Sequence, residues 1–106
     1  MEISCQGVQS KITAGDTFLL LDCREQHEWE YCRIEGATLI PMSELQRRVT
    51  EIESYRMADV IVYCHHGVRS MHVALWLQQQ GFSRALSMAG GIEAWSLKID
   101  PNVPRY

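Results

Sequence analysis

The sequence has no long apolar stretch and no excess of positive charge. Its longest hydrophobic runs, residues 18–21 and 60–64, fall far short of the roughly 20 residues that a membrane span needs. Ten lysines and arginines stand against 13 aspartates and glutamates, a net charge of −3, so we expect no surface for nucleic acid or for an anionic membrane. Prolines number only three, and no repeat is visible. These absences predict one globular domain over residues 1–106, with a core at about 3–97 and an irregular tail at 98–106.

Cysteine is present four times, but no two cysteines form a CxxC pair, which disfavours a zinc knuckle or a thioredoxin-like motif. Residues 1–4 contain no basic or hydrophobic leader, so we expect a cytoplasmic protein whose thiols stay free in a reducing compartment. The run Cys64-His65-His66 has poor spacing for metal ligands, and we expect neither a metal nor a cofactor. The cysteines therefore pose the question of which thiol is reactive.

Short apolar runs alternate with helical patterns along the chain. The predicted elements, in chain order, are a helix at 5–14, a strand at 18–21, a helix at 26–31, a strand at 37–40, a helix at 43–54, a strand at 60–64, a helix at 70–80, a strand at 85–88 and a helix that opens at 90–91. This alternation predicts an α/β fold with a small, mostly parallel sheet of about five strands, covered by helices on both faces.

The segment most suggestive of chemistry lies between the strand at 60–64 and the helix at 70–80. Cys64 ends the strand, and a short loop containing Gly67 follows it. Ligands of parallel α/β sheets bind beyond the carboxyl ends of the strands, and successive backbone N–H groups in such a loop can converge on an anion. These groups, the helix N-terminus and Arg69 would favour the nucleophilic thiolate. Cys64 is therefore the candidate nucleophile, although a small buried hydrophobic residue would explain the position equally well.

Four sequence blocks, in the same order, resemble those of the rhodanese family of sulfurtransferases. Residues 20–25 (LLDCRE) resemble its Asp-x-Arg-Glu element, residues 34–41 (IEGATLIP) its next block, residues 63–70 (YCHHGVRS) its active-site loop, and residues 89–95 (AGGIEAW) its closing Gly-Gly-x-x-Ala-Trp element. Each block is a weak signal, whereas the ordered set is a strong one. The chain is thus identified as a single-domain rhodanese, with the family's three-layer α/β/α fold expected.

Two features separate this chain from the common family pattern. Cys23 stands where valine is frequent, and Cys32-Arg33 stands where Gly-His is frequent. Residues 32–34 and the tail 99–106 resemble instead the rhodanese domains fused to ubiquitin-activating-type adenylyltransferases, which pass sulfur to small carrier proteins.

The resemblance implies a sulfurtransferase that works through a persulfide on Cys64. The donor would be an anion such as thiosulfate, and the acceptor would be cyanide, a thiol or a sulfur-carrier protein. Arg69 would attract the donor and Ser70 would cap the helix. His65, His66 and Val68 would shape the mouth of the site, although both histidines could equally be exposed loop residues.

The family also implies supporting residues around the loop. Asp22 and Arg24 would brace the loop, unless they form an ordinary surface ion pair, and Gly90 and Gly91 would allow a close backbone approach. The other cysteines, Cys5, Cys23 and Cys32, are expected to be bystanders. Cys23 or Cys32 could form a disulfide with Cys64 only if it lay close enough, and we expect that neither does.

Two other functions are compatible with the pattern. A non-catalytic binding or regulatory module would retain the fold without turnover. Related phosphatases and arsenate reductases have a Cys-x5-Arg loop, whereas Cys64 and Arg69 are separated by only four residues. The shorter loop favours a single bound sulfur atom over a phosphate, and the serine at the next position cannot bind a phosphate bidentately.

Overall fold

The computed structural model describes all 106 residues and contains one parallel sheet of five strands in the order β1-β5-β4-β2-β3. The strands are β1 (Glu2–Ile3), β2 (Phe18–Asp22), β3 (Thr38–Leu39), β4 (Asp59–Tyr63) and β5 (Ala85–Met88). The helices are α1 (Cys5–Ala14), α2 (Gln26–Tyr31), α3 (Leu45–Arg48), α4 (Val68–Gln79) and α5 (Gly91–Lys98). The predicted α/β fold is confirmed. None of these helices combines the length and the apolar character that crossing a bilayer requires.

Helices cover both faces of the sheet, as the continuous apolar strands β2 and β4 require. On one face, α3 and α4 pack against the sheet through Leu45, Val73 and Leu77. On the other face, α1 and α5 pack against it through Val8 and Ile92. The result is a three-layer arrangement with one apolar cluster on each side of the sheet.

The register of β2 and β4 decides where the functional side chains meet. Asp22 pairs with Tyr63 at the ends of the two strands, and the N–H of Cys23 donates to the carbonyl of Tyr63 at 3.1 Å. Cys23 and Cys64 therefore follow the two strands at the same edge of the sheet. Because their side chains belong to the same apolar cluster, both point to the face covered by α4.

Three details of the predicted elements are corrected. The short strand β1 was not predicted, because two residues show no periodicity; it pairs with β5. The single helix expected at 43–54 is instead a 3-10 turn (Met42–Glu44), the one-turn helix α3 and a second 3-10 segment (Val49–Tyr55). Ile52 departs from helical backbone angles but remains buried in the core. Helix α4 begins at Val68 rather than at Ser70.

Candidate active site

The sulfur of Cys64 lies in a cradle of hydrogen-bond donors at the end of β4. Backbone N–H groups of Gly67 and Ser70 donate to it at 3.1 and 3.4 Å, and the hydroxyl of Ser70 lies 3.5 Å away. The residue as a whole is only 1% exposed. The structure therefore contains the converging N–H groups that the loop sequence predicts, and they point at the thiol.

Two glycines give the loop its shape. Gly67 precedes the first residue of α4 with a φ of 109°, a left-handed conformation that side chains disfavour. Gly91 packs so closely that a Cβ atom there would collide with the carbonyl groups of Cys64 and His65. Those same carbonyls accept hydrogen bonds from the N–H groups of Ile92 and Glu93 at 2.8 and 3.1 Å. The start of α5 therefore fixes the backbone on which Cys64 sits.

Cys23 is a close neighbour of Cys64, whereas the sequence analysis expects it to be a bystander. Its side chain is fully buried in the same apolar cluster as Cys64, and its thiol donates to the carbonyl of Tyr63 at 3.5 Å. Cys32 belongs to the apolar cluster on the opposite face of the sheet, as does Cys5. Among the three other cysteines, only Cys23 is a neighbour of the candidate nucleophile.

The surroundings of Cys64 favour its anionic form. Hydrogen bonding from the Cys23 thiol, followed by the Ser70 hydroxyl and the N–H groups of Ser70 and Gly67, outweighs the effect of burial and lowers the pKa of Cys64 to about 4. The same contact and burial raise the pKa of Cys23. Of the two adjacent thiols, Cys64 thus carries the negative charge and Cys23 keeps its proton.

Ser70 has a different local role from the one its sequence position predicts. It does not cap α4, because Gly67 occupies that position and Ser70 lies within the first turn. Its hydroxyl instead lies between the sulfur of Cys64 and the hydroxyl of Ser87, which is 2.7 Å away. Ser87 belongs to β5, and both serines are fully buried. A chain of two hydroxyl groups therefore leads to the Cys64 sulfur.

Arg69 is not a free cation. Its two terminal nitrogens donate to the two carboxylate oxygens of Glu28 at 2.8 and 3.0 Å. This bidentate pair, ahead of other hydrogen bonds, lowers the pKa of Glu28 to about 2. The Arg69 side chain remains 33% exposed. Any anion that it attracts must therefore be bound by an arginine whose orientation is already fixed by Glu28.

Asp22 and Arg24 form a buried ion pair rather than a surface pair. Arg24 binds both carboxylate oxygens of Asp22 at 2.7–3.1 Å, and neither side chain is exposed. The guanidinium also donates to the carbonyl of Cys32 at 2.7 Å and to the hydroxyl of Tyr106 at 3.0 Å. Arg24 thereby connects the end of β2 to the segment after α2 and to the tail.

The two histidines of the loop have different surroundings. His66 is exposed, whereas the ring of His65 stacks on Tyr106 at a centroid distance of 3.8 Å and an interplanar angle of 7°. Val68, the first residue of α4, is 69% exposed. Gly90 has a φ of 80° and precedes α5, so both predicted glycines stand beside the loop.

Sequence reasoning missed four residues that the structure brings to this site: Cys23, Glu28, Ser87 and Tyr106. One of them carries a local signal, because Ser87 is a polar residue inside an apolar strand and buried polar groups need partners. Glu28 and Tyr106 reach the site through contacts that are 41 and 82 residues apart in the chain. No local pattern indicates such contacts.

Comparison with known proteins agrees with this architecture. The family model described as "Rhodanese-like domain" matches residues 4–98. The chain is similar to a protein named sulfurtransferase from Allochromatium vinosum, with 35% identity over 90% of this chain and 87% of that protein. It is also similar to a rhodanese-like/PpiC domain-containing protein from Arabidopsis thaliana, with 40% identity over 86% of this chain. It spans only 31% of that longer relative.

A further relative bears on the resemblance seen in residues 32–34 and in the tail. The chain is 30% identical to "Adenylyltransferase and sulfurtransferase MOCS3-2" from Zea mays, over 98% of this chain and 23% of the relative. The expected similarity to rhodanese domains of adenylyltransferases is confirmed. This chain corresponds to less than a quarter of that relative's length.

Solved structures show the same fold. A rhodanese-like domain protein from Staphylococcus aureus superposes with a TM-score of 0.84 over 99% of this chain and 97% of that one, at 24% identity. A rhodanese-related protein from Thermoplasma volcanium superposes with a TM-score of 0.79 over 97% of this chain and 94% of that one, at 30% identity. With the family model covering nearly the whole chain, the protein belongs to the rhodanese family.

Proposed function

We propose that this chain is a sulfurtransferase that carries sulfane sulfur as a persulfide on Cys64. Its relatives support a role in sulfur transfer in general. The observation that carries the finer proposal is the buried Cys64 sulfur at the end of β4, which receives two backbone N–H groups and has a pKa lowered to about 4. Such a thiol is ionised at neutral pH and is therefore ready for nucleophilic attack.

In the first step, the Cys64 thiolate attacks the outer sulfur of a donor such as thiosulfate. A sulfur–sulfur bond forms on Cys64, the sulfur–sulfur bond of the donor breaks, and sulfite leaves with the electron pair. Arg69 faces this step because it is partly exposed and its charge acts on Cys64. Since two of its N–H groups bind Glu28, its remaining donors are those available to an anionic donor.

In the second step, an acceptor takes the outer sulfur and regenerates the Cys64 thiolate. The acceptor is a nucleophile, namely cyanide, a small thiol or a nucleophilic group of a sulfur-carrier protein; it forms a bond to the outer sulfur while the sulfur–sulfur bond on Cys64 breaks. The N–H groups of Gly67 and Ser70 stabilise the thiolate that leaves, so they act on the charge that develops in this step. A low-pKa thiolate is also a good leaving group.

The states of the cysteines fit the compartment proposed from the sequence. All four are free, which is the usual state of thiols in a reducing cytoplasm. The proposed chemistry uses only this chain's thiol, the donor and the acceptor.

The decisive experiment is an intact-mass measurement after incubation with thiosulfate. The wild-type protein is expected to gain the mass of one sulfur atom and to lose it on addition of cyanide. Cys64→Ser should show no gain, whereas Cys32→Ser, in the opposite apolar cluster, should behave like the wild type. A gain that persists in Cys64→Ser would overturn the proposal.

The same preparation distinguishes the two alternatives from sulfur transfer. An unchanged mass with every donor, together with tight binding of a partner protein, would support a non-catalytic module. Release of phosphate from an aryl phosphate that depends on Cys64 would support a phosphatase, although the short Cys64–Arg69 spacing and the Glu28–Arg69 pair disfavour that reading.

A further inference from the structure

The tail after α5 is held in place so that Tyr106 lies next to the candidate site. The tail follows α5 and is held by the buried side chain of Val103, whose carbonyl accepts the hydroxyl hydrogen of Ser96 at 2.7 Å. Arg105 forms an ion pair with Glu93 at 2.7 Å. These contacts place Tyr106 over the loop that follows β4.

The hydroxyl of Tyr106 bridges the two arginine–carboxylate pairs of the site. It donates to Glu28 at 2.7 Å and accepts from Arg24 at 3.0 Å. Glu28 is the partner that orients Arg69, and Arg24 is the buried partner of Asp22. The Tyr106 hydroxyl therefore connects the buried Asp22–Arg24 pair to the partly exposed Glu28–Arg69 pair.

The ring of Tyr106 contacts the loop itself. It stacks on His65 in a nearly parallel arrangement, with 3.8 Å between ring centroids, and His66 lies 3.9 Å from His65. The Nε2 atom of His65 is buried and has no hydrogen-bond partner, so its ring is held by stacking and not by polar contacts. His65 directly follows Cys64, and its carbonyl is anchored to α5.

We propose that Tyr106 is a positioning residue for the binding of the anionic sulfur donor, because it holds the Glu28 carboxylate that orients Arg69 and fixes the His65 ring beside Cys64. The inference rests on the proposed sulfur transfer. The contacts of Tyr106 are with Arg24, Glu28, His65 and Tyr31 and not with the Cys64 sulfur. Its effect therefore passes through Glu28 and His65.

Loss of the hydroxyl has a defined consequence. Glu28 would lose one of its donors, and Arg24 would lose an acceptor in a largely buried setting, which is costly for charged groups. The Arg69 guanidinium would then be held less firmly next to Cys64. Because a bidentate fork gives geometric selectivity as well as charge, we expect weaker binding of anions more than slower chemistry.

The first measurement is the steady-state transfer of sulfur from thiosulfate to cyanide. Tyr106→Phe keeps the stacked ring and loses only the hydroxyl, whereas Tyr106→Ala loses both. Tyr106→Phe is expected to raise KM for thiosulfate about fivefold, the size typical of one lost hydrogen bond, with kcat changed less than twofold. Tyr31→Phe is the matched control, since Tyr31 packs edge-on against Tyr106 but donates only to the tail carbonyl of Arg105.

The second measurement does not depend on sulfur transfer. Cys64 is alkylated with iodoacetate, which is anionic, and with iodoacetamide, which is neutral. The rate with iodoacetate divided by the rate with iodoacetamide reports the positive potential near the thiolate. The ratio is expected to fall about fivefold in Tyr106→Phe and to stay unchanged in Tyr31→Phe. If the wild type shows no turnover while the ratio falls, the proposed function fails and the positioning role stands.

Two results for Tyr106→Phe would overturn the inference. One is an unchanged KM together with an unchanged alkylation ratio, and the other is a loss of kcat at constant KM. If Tyr106→Ala does not fold, Tyr106→Phe decides the question, because it retains the ring and its contact with His65.

Discussion

Cys23 lies beside Cys64 in the same buried cluster, and this contact is the largest cause of the lowered pKa of Cys64. It exists because Asp22 and Tyr63 are paired in register, which places the next residue of each strand side by side. Cys23 is fully buried and remains protonated beside the thiolate. It is therefore a neighbour that lowers the pKa of Cys64 and not a competing nucleophile.

Replacing Cys23 tests this effect on Cys64 directly. Cys23→Val removes the S–H group in a position where apolar side chains fit, so the pKa of Cys64 should rise by about one unit, equivalent to about 1.4 kcal/mol. Cys23→Ser retains a donor and should leave the pKa closer to that of the wild type. The pH dependence of Cys64 alkylation by iodoacetamide, followed by peptide mass spectrometry, measures both. An unchanged profile in Cys23→Val would contradict the assignment.

The fold could be predicted from the sequence to a large extent, and the site only in part. Strands β2, β4 and β5 are short apolar runs whose pattern is local, and Cys64 follows from its place after β4. The break in the helix around α3 could not be predicted, because Ile52 keeps its buried position while leaving helical geometry. Apolar spacing alone does not distinguish a helix from a series of 3-10 turns.

The environment of Cys64 depends on contacts between distant parts of the chain. The sequence places Arg69 in the loop but does not reveal its partner Glu28, which lies 41 residues earlier. Cys23 was interpreted as a bystander because the register of two parallel strands is not encoded in either strand. Such pairings become visible only once the elements are assembled.

The hydroxyl chain from Ser87 to Ser70 predicts a graded effect on Cys64. Ser70→Ala removes the hydroxyl that lies 3.5 Å from the sulfur and lowers the pKa of Cys64, so this pKa should rise clearly. Ser87→Ala removes only the partner of the Ser70 hydroxyl, 2.7 Å away, so its effect on the same pKa should have the same sign and be smaller. The pH dependence of Cys64 alkylation by iodoacetamide in the two variants gives this order. An effect of Ser87→Ala larger than that of Ser70→Ala would contradict the role of the hydroxyl chain.

Gly91 is predicted to be required for packing as well as for backbone conformation. Gly91→Ala introduces a Cβ against the carbonyls of Cys64 and His65, so it should destabilise the protein by about 3 kcal/mol or more. Gly15→Ala is the matched control, because Gly15 also has a positive φ, 73°, but a Cβ there meets nothing within 4 Å. It should cost only about 1 kcal/mol. Urea unfolding compares the two, and equal losses would show that only backbone strain matters.

The Glu28–Arg69 pair predicts a loss of stability in acid. The pKa of Glu28 is lowered from 4.5 to about 2, chiefly by Arg69, so the folded state holds the carboxylate ionised at pH values where the unfolded chain has bound a proton. This contribution is fully present above about pH 5 and disappears as the pH falls through about 2.

Glu28→Gln removes that titration. The difference in the free energy of unfolding between wild type and Glu28→Gln should therefore shrink by an amount on the order of 2 kcal/mol between about pH 5 and pH 2. Urea unfolding at several pH values measures it. Glu51→Gln is a suitable control, since Glu51 pairs with Arg48 on the exposed surface, and pairs of that kind contribute little. A constant difference across this range would mean that Arg69 does not hold Glu28 in its ionised form.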